Sequence, residues 1–189
     1  MTIDSFFSEI PTLTTENYVL RGLTLDDTQS IYSFMSDPVT MQYITPHPVQ
    51  TEEELSAVLE KYLQDYQERK GIPWVIINKF NHEVIGVFRF HKLHLWHKKA
   101  EMGVVIHKDY QHRGVMTEVL KDILDFGFNQ LGLNRIVGDI FAENIGSKKL
   151  LMKYGFKKEG QLRQTDFDGE QFHDTVVYSL LQSEYRSKC

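Results

Sequence analysis

The sequence is poor in cysteine: Cys189, its last residue, is the only one in 189. A disulfide within the chain is therefore impossible, and a cytoplasmic protein is the expectation. No apolar run approaches the ~18 residues that span a bilayer, so no membrane association is expected. The start, MTIDSFFSEIPTL, lacks the basic segment and long apolar core of a signal peptide. Basic residues are in deficit, 21 Lys and Arg against 26 Asp and Glu, for a net charge of −5. General nucleic-acid binders present a basic surface, so direct nucleic-acid binding is not expected. Prolines number five, and three of them fall in PVTMQYITPHPVQ (38–50), which reads as a loop. Internal repeats are missing too. So are G-x-x-x-x-G-K-S/T and G-x-G-x-x-G, which removes the usual support for ATP hydrolysis and dinucleotide redox chemistry.

What is present suits one compact domain over residues 1–189, with 41% hydrophobic and 12% aromatic residues. Residues 17–23 read as a strand. Asp26 or Asp27 is placed to cap a helix carrying Ile31, Phe34 and Met35. Thr51 and Glu54 form a capping box for a helix reaching about Arg69, with Leu55, Leu59, Tyr62 and Tyr66 on one side and Gly71 at its end. Strands follow at 74–78 and 83–93 around a turn at 79–82, then a third at 100–108. Residues 115–131 space Val119, Leu120, Ile123, Leu124 and Phe128 for a buried helix face. A strand at 134–141 precedes a short helix closed by Gly155. Residues 156–181 read as two strands around an Asp168-Gly169 turn. Strand, helix and strand over 100–141 make one parallel crossover, and the rest looks antiparallel. The class is mixed α/β with a central sheet flanked by helices.

The stretch YQHRGVMTE (110–118) joins the 100–108 strand to the 115–131 helix with no Ser, Thr, Asn or Asp cap directly before the helix. A helix start leaves several N–H groups unpaired and carries about half a positive charge. Gly114 lets a ligand approach the backbone closely. His107, Lys108, His112 and Arg113 add local positive character. These residues fit a phosphate or pyrophosphate site on the N–H groups of 111–117; an ordinary strand-to-helix turn with exposed basic residues is the alternative.

Gln111-His112-Arg113-Gly114-Val115-Met116 resembles the acetyl-coenzyme A loop of the GNAT superfamily of N-acetyltransferases. That loop has Gln or Arg, two residues, Gly, one residue, then Gly or Ala; Met116 departs from the small residue. NYVLRGLTLDD, AEMGVVIHKDYQHRGVMTE, LGLNRIVGDIFAENIGSKKLLMKYGFKKEG and FHDTVVYSLL look like the branch typified by RimJ and RimL, the ribosomal-protein N-acetyltransferases. The resemblance spans nearly the whole chain. It implies a mostly antiparallel sheet with one splayed parallel pair, at 101–107 and 134–141. Acetyl-CoA would be the co-substrate. Its pantetheine arm would lie along the first of those strands, against the backbone of Val104, Val105 and Ile106. Its diphosphate would meet Gln111, His112, Arg113, Gly114, Val115, Met116 and Thr117.

Asn144 reads from spacing as an N-cap; the resemblance directs it toward the pantetheine arm. The resemblance also puts Ser147 near the sulfur, where its hydroxyl would protonate the departing thiolate. A tyrosine that many members use for this falls at Leu151, and Tyr154 reads as packing. Glu101 resembles the branch's general base, acting directly or through water, with Asp166 as second candidate. The acceptor would be a primary amine. An α-amine, with pKa near 7.7–8.0 against about 10.4 for Lys, suits a weak base better. That favours the N-terminus of a protein, ribosomal ones included. A small amine such as a polyamine, antibiotic or amino-acid analogue is the alternative, and a non-catalytic acyl-CoA sensor the second. A homodimer is compatible with this reading. His91, His94 and His97 repeat every third residue. On a strand His91 and His97 face one way and His94 the other, so no metal is expected.

Overall fold

A computed structural model of the chain describes residues 3–186; Cys189 lies outside them. The elements run β1 (Leu13–Thr14), β2 (Tyr18–Gly22), α1 (Thr28–Met35), α2 (Pro38–Met41), α3 (Glu52–Gln67), β3 (Ile72–Asn78), β4 (Val84–His94), β5 (Lys99–Ile106), α4 (Val115–Asp125), β6 (Arg135–Phe141), α5 (Ile145–Lys153), β7 (Lys157–Phe167), β8 (Phe172–Leu181) and α6 (Gln182–Arg186). All eight strands form one sheet in the order β1-β2-β3-β4-β5-β6-β8-β7. Only β5 and β6 are parallel. Among the described residues no helix is long and apolar enough to cross a membrane.

Alternation along the strands divides the core. Trp74, Phe88, Phe90, Ala100 and Ile136 pack on one face beneath Val119, Ile123 and Leu124 of α4 and Leu151 of α5. Val75, Val87 and the half-buried Val105 point the other way, against Ile31 and Phe34 of α1 and Leu55 and Leu59 of α3. Trp74 is fully buried among Phe88, Phe90 and Phe126, and its indole N–H donates to the Pro11 carbonyl at 2.8 Å.

Several boundaries differ from the sequence reading for local reasons. The loop expected at 38–50 begins as helix α2: Pro38 occupies the first turn, and the Asp37 carboxylate accepts from Thr40 N at 2.8 Å. Asp27 precedes α1 without capping it. Its carboxylate instead accepts from both Arg21 guanidinium ends, at 2.8 and 2.6 Å, and from Thr24 N at 2.9 Å. Burial pushes the Asp27 carboxyl up, but these donors outweigh it and hold it below its ordinary value. α3 is closed by Arg69 in the left-handed region (φ 57), while Lys70 and Gly71 amides both return to the Asp65 carbonyl. Gly71 is required for another reason: a Cβ there would stand 2.8 Å from the Phe90 carbonyl oxygen. The helix expected to reach 131 is α-helical only to Asp125 and continues as a π turn, Phe126–Gln130.

The sheet ends in β1, two residues long, on one side and β7 on the other. β7 slips register against β8 between Lys158 and Gly160 and between Leu162 and Asp166, with Gln164 at φ 53. At the hairpin tip, Asp168 Oδ1 accepts from Glu170 N and Gln171 N, both at 2.8 Å.

Candidate active site

β5 and β6 pair only from Lys99↔Arg135 to Glu101↔Val137. Beyond that β5 runs to Ile106 and β6 to Phe141 with no shared ladder, so a fork opens between them. On its other edge β5 pairs with β4 along its length, and His107 N–H donates to the Ile85 carbonyl at 2.9 Å. Main-chain groups of successive residues alternate between the two edges. Val105 therefore shares the direction of His107, toward β4, whereas Val104 and Ile106 turn theirs to the fork. This corrects the expectation for Val105, whose main-chain groups belong to the sheet. The Ile106 carbonyl accepts from Gln111 Nε2 at 2.9 Å, so Gln111 ties the following loop to the strand end.

That loop is concave. His112 (φ 58) and Gly114 (φ 84) are both left-handed, a geometry that turns nearby N–H groups to one side. No side chain caps α4, whose first main-chain bond runs from Glu118 N–H to the Gly114 carbonyl at 3.0 Å. The amides of Val115, Met116 and Thr117 are the helix's orphan donors. A Cβ placed on Gly114 would meet no atom within 4 Å, so the space beside that residue is open. Unpaired amides, the positive helix end and this clearance fit a diphosphate. The Met116 side chain packs half-buried against the main core. Of the basic residues, Lys108 pairs with Asp37 at 3.2 Å, the His107 ring accepts from Asp109 N, and Arg113 lies over the Tyr110 ring, leaving His112 exposed.

α5 begins beside this loop: His112 Cε1 lies 3.8 Å from the position a Cβ on Gly146 would take. Asn144 is the N-cap, its side-chain oxygen accepting from Ser147 N at 3.0 Å. Leu151 is buried against Gly138. The Tyr154 hydroxyl donates to the Thr117 carbonyl and so pins α5 to α4. Burial, then the charge of Asp122, raises its pKa and keeps it a donor. Tyr154→Phe should lower stability by about 1 kcal/mol, read by thermal melting, and leave kcat unchanged. A large fall in kcat would show that this hydroxyl takes part in proton transfer.

On the opposite face, beneath α3, lies an open cleft of about 640 Å³. Glu101 from β5 and Asp139 from β6 line it, with Lys92, Lys99 and Arg135. Glu101 Oε2 is 2.7 Å from Lys92 Nζ. The side chain of Asp139, which the sequence reading passed over, is exposed at the cleft and makes no hydrogen bond or ion pair with the described residues; partial loss of hydration, then the charge of Glu101, raises its pKa. His91 is pushed down to about 4 by burial and by Arg89, so its ring is neutral at pH 7. Arg89 in turn is held over the Tyr62 ring at 4.1 Å. Glu101 and Ser147 thus lie on opposite sides of the sheet, with the fork between them.

Asp166 stands apart, exposed on β7, accepting from Thr175 Oγ1 at 2.9 Å. His97 is not on a strand, as the reading of the three histidines assumed, but in the turn after β4, where its amide donates to His94 Nδ1 and the two rings lie 4.1 Å apart. Among the described residues no group of three His, Cys, Asp or Glu side chains is arranged to hold a metal.

A forked sheet with an uncapped helix at its mouth is the architecture of an acyl-CoA transferase domain, and the comparisons agree. Residues 17–157 match the family described as Acetyltransferase (GNAT) domain. The chain is 34% identical over 172 residues to the uncharacterized N-acetyltransferase YoaA of Bacillus subtilis (strain 168), covering 91% of this chain and 97% of that one. It is 25% identical to the spermidine N(1)-acetyltransferase of Escherichia coli (strain K12), covering 88% of this chain and 87% of that one. The fold superposes on RimL, a ribosomal alpha-N-protein acetyltransferase solved with coenzyme A, with a TM-score of 0.85 at 17% identity over 92% of this chain and 99% of that one. The chain belongs to the GNAT acetyltransferases. It is an enzyme of acetyl transfer from acetyl-CoA.

Proposed function

We propose that the acceptor is the N-terminal α-amine of a protein, in the manner of the RimL-type branch. One observation carries this: the segments flanking the acceptor side expose apolar side chains, while Asp37, Asp166 and Asp168 beside them are already engaged. Val39, Tyr43 and Ile44 on one segment and Leu162, Phe167 and Phe172 on the other are exposed, and the last two rings meet at 4.8 Å. Asp37 is taken by Thr40 and Lys108, Asp166 by Thr175 and Asp168 by His173; in the cleft itself Glu101 shares Lys92, and Asp139 is the single uncommitted carboxylate among the described residues. A polyamine needs free carboxylates spaced along its length; a peptide needs an apolar platform and one anionic group for its terminal ammonium.

In this reading the amides of the 111–117 loop grip the diphosphate and the fork edge at Val104 and Ile106 aligns the pantetheine arm. Asn144 fixes the α5 turn that presents Ser147, whose hydroxyl gives a proton to the departing thiolate. Glu101, steadied by Lys92, receives the acceptor's ammonium on the other face. The amine attacks the thioester carbonyl directly, so initial-rate plots should intersect as for a ternary complex.

The test is a panel of acetylation reactions followed by mass spectrometry: ribosomal proteins, peptides with a free N-terminus, the same peptides blocked but carrying lysine, and spermidine. The free-terminus peptides should be modified with kcat/KM at least about tenfold above the rest, an advantage of about 1.4 kcal/mol. The reverse order, with spermidine first, would replace the peptide acceptor by a polyamine, as the name of the Escherichia coli relative suggests.

A further inference from the structure

The fork presents two carboxylates to one cleft, and they are not equivalent. Glu101 belongs to the last paired rung of the parallel ladder, opposite Val137. Asp139 lies two residues further along β6, where the strands have separated, and on the same face because side chains alternate with period two. Both line the cleft. Glu101 is committed to Lys92 at 2.7 Å. Asp139 has no partner among the described residues and stands nearer the open fork.

We infer that Asp139 is the catalytic proton acceptor and that Glu101 with Lys92 anchors the incoming ammonium. The ammonium first gives one proton to the Asp139 carboxylate. The neutral amine then attacks the thioester carbonyl, the C–N bond forms and the C–S bond breaks. Asp139 passes its proton to water as the adduct forms; the thiolate then takes the Ser147 hydroxyl proton, and the nitrogen's second proton returns to Ser147 through Asp139 and water. The sum is ammonium plus thioester giving amide, thiol and one released proton.

The surroundings set the direction of the pH effect. Asp139 is exposed, but its partial loss of hydration at the strand raises its pKa most and the Glu101 charge next; Lys92 from β4 and Arg135 from β6 oppose them. Arg135 is also held by Glu159 of β7 at 2.8 Å, which weakens its pull. From α3 and the turn after it Asp65 and Lys70 face the cleft, each with its own partner, Lys61 and Glu68. His94 and Lys99 line its far end, and β8 contributes only Val177. Protonated Asp139 cannot accept a proton, so kcat falls as pH drops through its raised pKa.

The test compares wild type with Asp139→Asn, Asp139→Glu and Glu101→Gln. It uses the best acceptor of the panel, peptide or polyamine, so failure of the peptide reading leaves it intact. Coenzyme A titration by calorimetry shows that each variant keeps its folded cofactor site. Asp139→Asn should lower kcat about 100-fold or more and abolish the acidic limb of the kcat–pH profile. Asp139→Glu should restore part of both. Glu101→Gln should raise the acceptor KM and move the acidic limb to lower pH, because a neighbouring negative charge is gone. If Asp139→Asn keeps the acidic limb, with or without a loss of rate, or if Glu101→Gln is the variant that loses it, the assignment to Asp139 is wrong.

Discussion

Replacing Gly114 by valine should abolish useful acetyl-CoA binding while leaving a folded protein. Gly114 sits at φ 84, where a β-branched residue costs roughly 1–3 kcal/mol of backbone strain. The new side chain would enter open space at the start of α4, since nothing of the protein lies within 4 Å of a Cβ there. Folding therefore suffers little beyond the strain, but the donors are screened or displaced. Each hydrogen bond from an amide to a charged oxygen is worth about 1.5–3 kcal/mol. Losing two raises Kd by roughly 100-fold or more. Calorimetric titration with coenzyme A reads this directly, and Gly114→Ala should fall between valine and wild type. Wild-type affinity in the valine variant would remove the loop from the cofactor site.

Trp74→Ala should be the most destabilising single change among the core residues. The indole is fully buried, meets three aromatic rings at 5.6–6.0 Å and gives its N–H to the Pro11 carbonyl. Truncations of this kind cost about 3–5 kcal/mol through lost burial and the cavity left behind. That is a large share of the roughly 5–15 kcal/mol a domain has, and the melting temperature should drop by roughly 6–20 °C. Trp74→Phe keeps most of the apolar volume and should recover more than half of the loss. A drop below about 2 °C for the alanine variant would mean the surrounding rings close over the gap.

Much of this was legible in the chain because it rests on local rules. The Thr51 cap, the Asp168-Gly169 turn and the apolar spacing of α4 each encode one element with no help from afar. The lack of a side-chain cap at the entry to α4 was legible as well, from Gly114 standing directly before Val115. Other features depend on what the chain meets later. Arg69, not Gly71, turns out of α3, because Gly71 is needed where the backbone passes Phe90. Which of Val104, Val105 and Ile106 opens to the fork depends on the pairing of β4 with β5, which no single strand's sequence carries. Asp139 was passed over for the same reason. A polar residue at the end of an apolar strand reads as solvated until Glu101 is found on the neighbouring strand. The alternation Val137, Gly138, Asp139 opposite Glu101 was the available signal, and it needed the parallel register to be read.

The two borders of the sheet have a bearing on life in a crowded cell. A sheet border is a template on which any foreign strand can grow. Here one border is too brief, at two residues, to hold a visitor. The other is long, but its rhythm is broken twice, so donors and acceptors fall out of step with a straight newcomer. A straight newcomer therefore finds poor purchase on either border.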